Sequence, residues 1–250
     1  MVLDRAGEPL QLDDVADPQP SAAQVRIRVL ACGVCRTDVH IVDGELLDPA
    51  LPLVPGHQIV GVVEAVSDRV EDVAIGDRVG VPWLGWACGE CGYCTTGRQN
   101  LCERALFTGY QLNGGYAETV IADARACLAL PDAFPDLQAA PLLCAGTIGF
   151  RALRMTGDAT RLGLYGFGGA AHILTQVAIA EGRRVFAFTR PGDTATQAFA
   201  REVGATWAGS STEAPPEPMP RSCSPRPASS SPVPWTPSRR AERSSAQRST

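Results

Sequence analysis

The sequence predicts an α/β plus β chain, in which a compact antiparallel barrel of short strands is followed by a parallel strand–helix–strand unit. Three observations predict it. Short alternating strands recur with Gly- and Asp-rich breaks through the first half. The apolar period changes to a helical one near Pro131. Beyond that, a glycine turn sits between an apolar run and a helix-forming run.

Taken in order, QVRIRVLA at 24–31 alternates apolar and polar residues as a half-buried strand does. VGVVEAV, GDRVGV and YAETVIA repeat that habit, giving a barrel over about residues 1–130. DLQAAPLLCAGTIGFRALRM carries helical spacing, and Pro141 breaks or kinks the helix. RLGLYGFGGAAHILTQVAIAEGRRVFAFTR then reads as strand, glycine turn, helix and strand. TATQAFAREVGATWAG adds an amphipathic helix and the start of a third strand.

Composition excludes several classes of function. All 22 basic residues are Arg, the net charge is −5, and no basic stripe is present to neutralise phosphates, so nucleic acid is not an expected partner. No run approaches the roughly 20 apolar residues of a membrane span. MVLDRAGEPL has no export signal, so a cytoplasmic protein is expected. In that reducing compartment nine cysteines point to metal ligands before disulfides.

CGECGYCTTGRQNLC at 88–102 concentrates four of them. Cys88, Cys91, Cys94 and Cys102 are separated by two, two and seven residues. A two-residue gap lets a tight turn, here supported by Gly89 and Gly92, aim two thiolates at one ion. Four thiolates close a tetrahedron and leave no open position, so the expected site is a structural zinc. The bacterial iron–sulfur run has a last gap of three followed by Pro, unlike this one.

Elsewhere, CGVCRTDVH follows the first strand, PGHQIVG places His57 on a turn, and PLLCAG places Cys144 at the start of the second half. Singly these are open to other readings: a redox pair, a turn residue, a buried small hydrophobe. Together with the 88–102 loop and GFGGAA they stand in the order found in zinc-dependent alcohol dehydrogenases of the medium-chain dehydrogenase/reductase family. The resemblance covers about residues 1–212. It implies a GroES-like catalytic β-barrel domain (1–135), an incomplete Rossmann domain (136–212), and two zinc ions per chain, one catalytic and one structural. It also implies a homo-oligomer and a small-molecule alcohol or aldehyde as substrate.

By the same resemblance Cys35, His57 and Cys144 match the catalytic zinc ligands, leaving a fourth position open for a Lewis-acid site. Asp38 matches the carboxylate that orients the ligand histidine, though it could also serve as a helix cap. Thr37 and His40 match the proton relay, and imidazole titrates near working pH. A plain surface histidine is the other reading of His40. Arg36 matches a position that contacts the cofactor pyrophosphate. Gln58 stands where the family commonly has Glu, a residue thought to assist exchange at the zinc. Trp83 and Trp86 are candidates for an aromatic substrate wall or for packing against the zinc loop.

Gly166, Gly168 and Gly169, with Ala171 in the third slot, form the dinucleotide fingerprint between strand and helix. The first glycine permits the tight turn and the second a close approach to the pyrophosphate. The next strand, VFAFTR, ends in Thr189 and Arg190 where an NAD enzyme usually carries Asp or Glu. Arg190 can pair with a 2′-phosphate, so NADP is favoured and NAD remains possible. The expected activity is oxidation of a primary or secondary alcohol with hydride transfer to NAD(P). The alternatives are an NADP-dependent aldehyde reductase and a zinc-binding remnant without activity.

After about residue 212 the grammar changes. EAPPEPMPRSCSPRPASSSPVPWTPSRRAERSSAQRST holds nine prolines and nine serines with no apolar period, so a disordered tail is expected over 213–250. Read one base out of frame, with GC-rich wobble bases chosen for the codons, residues 220–250 can be read as apolar strand, loop, helix, Gly-Gly turn and apolar strand. A frame-shifted continuation of the dinucleotide domain is therefore expected. With it goes an expectation of a bound structural zinc and little or no dehydrogenase turnover in the chain as written.

Overall fold

A computed structural model describes residues 1–46 and 48–216. The segment from about 219 onward, read above as a frame-shifted tail, lies outside the described residues.

Strands β1 (Gln24–Cys32), β2 (Ile59–Val66) and β3 (Arg78–Val81) pair antiparallel. The alternation in β1 fixes its faces: Val25 and Ile27 are fully buried, while Arg26 and Arg28 reach Glu64 on the opposite side. Strand β6 (Thr119–Asp123) pairs with the outer side of β1, and β7 (Leu128–Ala129) with β3. The sheet order is therefore β6-β1-β2-β3-β7. Val25, Ile27, Ile59, Val63, Val79, Val81, Val120 and Ala122 close over one another as the inner core.

These five antiparallel strands are the expected barrel of the first half. Its end strands β6 and β7 are joined by the short 3-10 turn Ala124–Ala126, and no ladder pairs them. A two-residue β7 offers too few backbone groups to continue the pairing. A separate pair, β4 (Leu84–Trp86) and β5 (Leu106–Phe107), holds the two ends of the cysteine loop together.

The kink expected at Pro141 is present. Helix α2 (Asp136–Ala139) gives way to a 3-10 turn at Ala140–Leu143, and α3 (Ala145–Met155) resumes beyond Cys144. Ala139, Ala140 and Leu143 bury themselves against Ala31 and Val60, on the side of β1 and β2 away from the inner core. Docking of this hinge on the sheet sets where Cys144 falls.

Beyond it, β8 (Arg161–Tyr165), α4 (Gly169–Ala180), β9 (Arg184–Thr189), α5 (Thr194–Glu202) and β10 (Trp207–Ser210) follow in turn. The three strands are parallel in the order β10-β9-β8, the first half of a Rossmann sheet. Central β9 is buried from Val185 to Thr189, as a strand covered on both faces must be. Leu153 of α3, Leu174 and Ala178 of α4, and Ala200 of α5 pack with Val185 and Ala187 as one core. Among the described residues no helix is long and apolar enough to cross a membrane.

Candidate metal and cofactor site

Helix α1 (Arg36–Val42) begins directly after the first strand, and its first turn builds half of the site. Cys35 is the N-cap. Its thiol accepts from the Thr37 N–H at 3.3 Å, while its own N–H donates to Asp38 Oδ2 at 2.8 Å. The other carboxylate oxygen of Asp38 accepts from His57 Nδ1 at 2.9 Å. Asp38 therefore does both things its sequence context allowed: it caps the helix and it orients the imidazole. With Nδ1 protonated, the Nε2 lone pair is free for a ligand.

His57 Nε2 lies 3.4 Å from Cys35 Sγ and 3.3 Å from Cys144 Sγ. The three ligand atoms fall within 4.8 Å of one another. Tetrahedral zinc with S at about 2.3 Å and N at about 2.0–2.1 Å has S···N edges of roughly 3.5 Å, so this donor set fits the ion. His57 and Asp38 are only 1% and 2% exposed, and Gln58 beside them is 3% exposed with no partner for its Nε2. Burial, and then the neighbouring Cys35, push the Cys144 thiol up to about 12. A thiolate this deep needs a cation beside it.

In the second cluster the four sulfurs of Cys88, Cys91, Cys94 and Cys102 also fall within 4.8 Å of one another. Cys88 Sγ and Cys94 Sγ are 3.8 Å apart, the edge expected of two thiolates on one zinc. The turn donates inward, with the Cys91 N–H to Cys88 Sγ at 3.4 Å and the Cys88 N–H to Cys102 Sγ at 3.5 Å. Backbone N–H groups, that of Glu90 foremost, bring the Cys88 thiol down to about 6, while burial pushes Cys94 up to about 12. Gly89 is left-handed at φ 78° as the turn requires. Gly92 is not; the second left-handed glycine of the loop is Gly97, which ends the 3-10 turn begun at Cys94.

Thr37 lines a cavity of about 970 Å³ that also takes in His57 and Cys144. Its floor is apolar, with Trp83, Trp86, Leu84, Leu128 and Ile148 among the lining side chains. His40 sits one turn after Thr37, and its Nδ1 is paired with Glu45. Glu45 was not visible from the sequence, since it lies past the helix end, where no periodicity applies.

On the dinucleotide side, Gly166 is left-handed at φ 84°, and its N–H donates to the Phe188 carbonyl at 2.8 Å. Gly168 is the N-cap of α4 and Gly169 its first residue. A Cβ at Gly168 would meet nothing, so the space above this turn is open for a ligand to approach. Ala171 packs on the core under the helix. Thr189 turns inward, its hydroxyl accepting from Gln197 Nε2 at 3.0 Å. Arg190, the next residue, is exposed, as is Arg36 at the start of α1.

Comparison with known proteins agrees with this geometry. The alcohol dehydrogenase GroES-like domain matches residues 21–132. A probable alcohol dehydrogenase AdhA of Mycobacterium tuberculosis (strain CDC 1551 / Oshkosh) is 41% identical over 218 residues, 84% of this chain and 62% of the relative. The chain belongs to the medium-chain alcohol dehydrogenase family. Among solved structures, CAD from Helicobacter pylori in complex with NADP(H) is 28% identical with a TM-score of 0.68, over 74% of this chain and 56% of that one. A structure named as a short chain alcohol dehydrogenase (rspB) from E. coli CFT073, in complex with NADH, is 28% identical with a TM-score of 0.76, over 86% and 62%. The chain thus spans about 60% of the length of these family members. This alcohol dehydrogenase family is zinc-containing and NAD(P)-dependent.

In this family member Trp83 lines the cavity and packs at the base of the cysteine loop. Its ring meets His57 edge-on at 4.9 Å and stacks at 5.0 Å on Phe107, in the strand that closes the cysteine loop. One indole thus lies against both His57 and the strand at the base of the four-cysteine loop.

Proposed function

We propose that the chain carries the alcohol-dehydrogenating site of its family. In this reading Cys35, His57 and Cys144 hold a catalytic zinc, and Cys88, Cys91, Cys94 and Cys102 hold a structural one. The observation that carries it is the convergence of Cys35, His57 and Cys144 from three separate segments, with Asp38 fixing the imidazole between them. A zinc bound there supplies a Lewis acid for an alcohol oxygen.

The chain's own residues do the rest. His57 and Cys144 line the largely apolar cavity, so a primary or secondary alcohol entering it would meet a zinc that Cys35, His57 and Cys144 would hold. The Thr37 hydroxyl lines that cavity and takes up the alcohol proton. His40, one turn along α1, passes it to solvent beside Glu45. Trp83 and its aromatic neighbours exclude water from the wall next to His57. Residues 1–135 form the catalytic unit and 136–212 the first part of the dinucleotide unit. Hydride transfer is tested with purified chain, NADP and a panel of alcohols. The chain as written is expected to give little turnover; loss in Cys144→Ser of any nicotinamide reduction it does give supports the reading, and turnover indifferent to that change contradicts it.

NADP is the favoured cofactor. With Thr189 turned inward, the residue exposed at the end of β9 is the cation Arg190, in the stretch where an NAD enzyme usually carries Asp or Glu. Arg190→Asp is expected to weaken NADP binding by about 2–3 kcal/mol while sparing NAD, the loss of one charge-assisted contact. Calorimetric titration with both dinucleotides measures this, and equal affinity of the parent chain for the two removes its basis.

A further inference from the structure

We infer that the cavity beside His57 and Cys144 takes an ω-hydroxy acid: a hydroxyl at the zinc ligands, an apolar middle, and a carboxylate received by Arg151. The inference rests on reading Cys35, His57 and Cys144 as a zinc site.

Cys144 is the N-cap of α3, and Thr147, Ile148 and Arg151 follow it within the helix. At 3.6 residues per turn these four share one side of the helix. All four line the cavity. The opposite side carries Gly146, Gly149 and Leu153, which are buried, and a Cβ at Gly149 would come within 3.2 Å of the Ala170 carbonyl oxygen of α4. Close packing of α3 on α4 therefore turns the Cys144 side toward the cavity. At 1.5 Å of rise per residue, Arg151 stands about 10 Å along the axis from Cys144. A helical side chain leans toward the helix N-terminus, which on α3 is the Cys144 end.

Between the two ends the walls are apolar, with Trp83, Trp86, Leu128 and Ile148 among them. Trp83 is fixed there by its stack on Phe107. A hydrocarbon or aryl body gains by leaving water in that stretch, whereas a charge lodged there would lose its hydration with no partner. The ligand's polar groups belong at its ends.

The charges around the cavity decide what the far end is. Arg125 also lines it, but its Nε and one terminal nitrogen donate to the two oxygens of Asp123 at 3.0 and 2.7 Å, so that pair is neutral. The Thr147 hydroxyl is spent on the Leu142 carbonyl at 3.1 Å. Gln99 and Asn100 carry no charge. Among the described residues Arg151 has no carboxylate partner, which leaves one uncompensated cation on the lining. A guanidinium offers a planar fork of donors that matches a carboxylate. One such cation suits a monoanion.

The experiment titrates 4-(hydroxymethyl)benzoate and its methyl ester into the zinc-loaded 250-residue chain by calorimetry, which needs no turnover. The acid is expected to bind about fivefold to tenfold tighter than the ester, the low end for a charge-assisted contact because Arg151 is exposed. Arg151→Gln is expected to bind both ligands alike, at the parental affinity for the ester, and Arg151→Lys to keep part of the preference. Cys144→Ser is expected to weaken acid and ester by the same factor, since it acts at the hydroxyl end. Equal affinity of the parent for the two ligands overturns the inference, as does binding of neither, or a preference for the acid that survives Arg151→Gln. A preference abolished by Arg151→Gln, with both affinities indifferent to Cys144→Ser, upholds the carboxylate contact and overturns the zinc-site reading instead.

Discussion

Cys91→Ser is expected to leave a chain that does not reach its native fold. The 88–102 loop leaves the sheet through the short β4–β5 pair, and its interior consists of four sulfurs drawn within 4.8 Å of one another. Apart from Cys94 and Cys102, this stretch buries no side chain, so little but the metal can order it. Structural zinc sites contribute about 10–16 kcal/mol of apparent binding energy in small peptides, comparable to a typical domain's whole stability of about 5–15 kcal/mol. Replacing one thiolate by a hydroxyl removes much of that, and Trp83, stacked on Phe107 at the base of the loop, links the loss to the wall beside His57. Thermal unfolding of the purified variant checks this. A Cys91→Ser chain that melts cooperatively near the parental temperature excludes the structural role.

Cys144→Ser is expected to behave in the opposite way, losing one ion while keeping the fold. Cys144 is held by the packing of Ala139, Ala140 and Leu143 on the sheet, which the substitution leaves intact. The same site carries a pH dependence. Burial, then Cys35, push the Cys144 thiol up to about 12, so below that value it is protonated when the metal is absent. Metal binding must expel this proton, and acidification opposes it. Affinity at the Cys35–His57–Cys144 site is therefore expected to fall about tenfold per pH unit for each proton displaced. Chelator titrations at several pH values measure the slope. A flat profile with one ion still bound there would show that Cys144 is not a ligand.

Much of the fold was legible because local patterns carry it. Val25 and Ile27 alternate with Arg26 and Arg28, and that alone sets which face of β1 enters the core. The four-cysteine loop was legible because its ligands lie within fifteen residues. The proposed catalytic set was different: His57 is 22 residues from Cys35 and 87 from Cys144, so no local spacing joins them, and only the order of motifs shared with a family did. Glu45 was missed because it lies in the irregular segment past the end of α1, where neither helix nor strand periodicity marks a residue's direction. The inward turn of Thr189 was also hidden, since both faces of a central parallel strand are covered and its alternation carries no polarity signal.

The most direct test of the account is the metal content of the full chain, purified without chelator or added metal and measured by elemental analysis alongside Cys144→Ser. Two zinc ions per folded parent chain, and one in the variant, is the predicted result. A folded parent with a single ion that Cys144→Ser retains would contradict the assignment of Cys35, His57 and Cys144 as a zinc site.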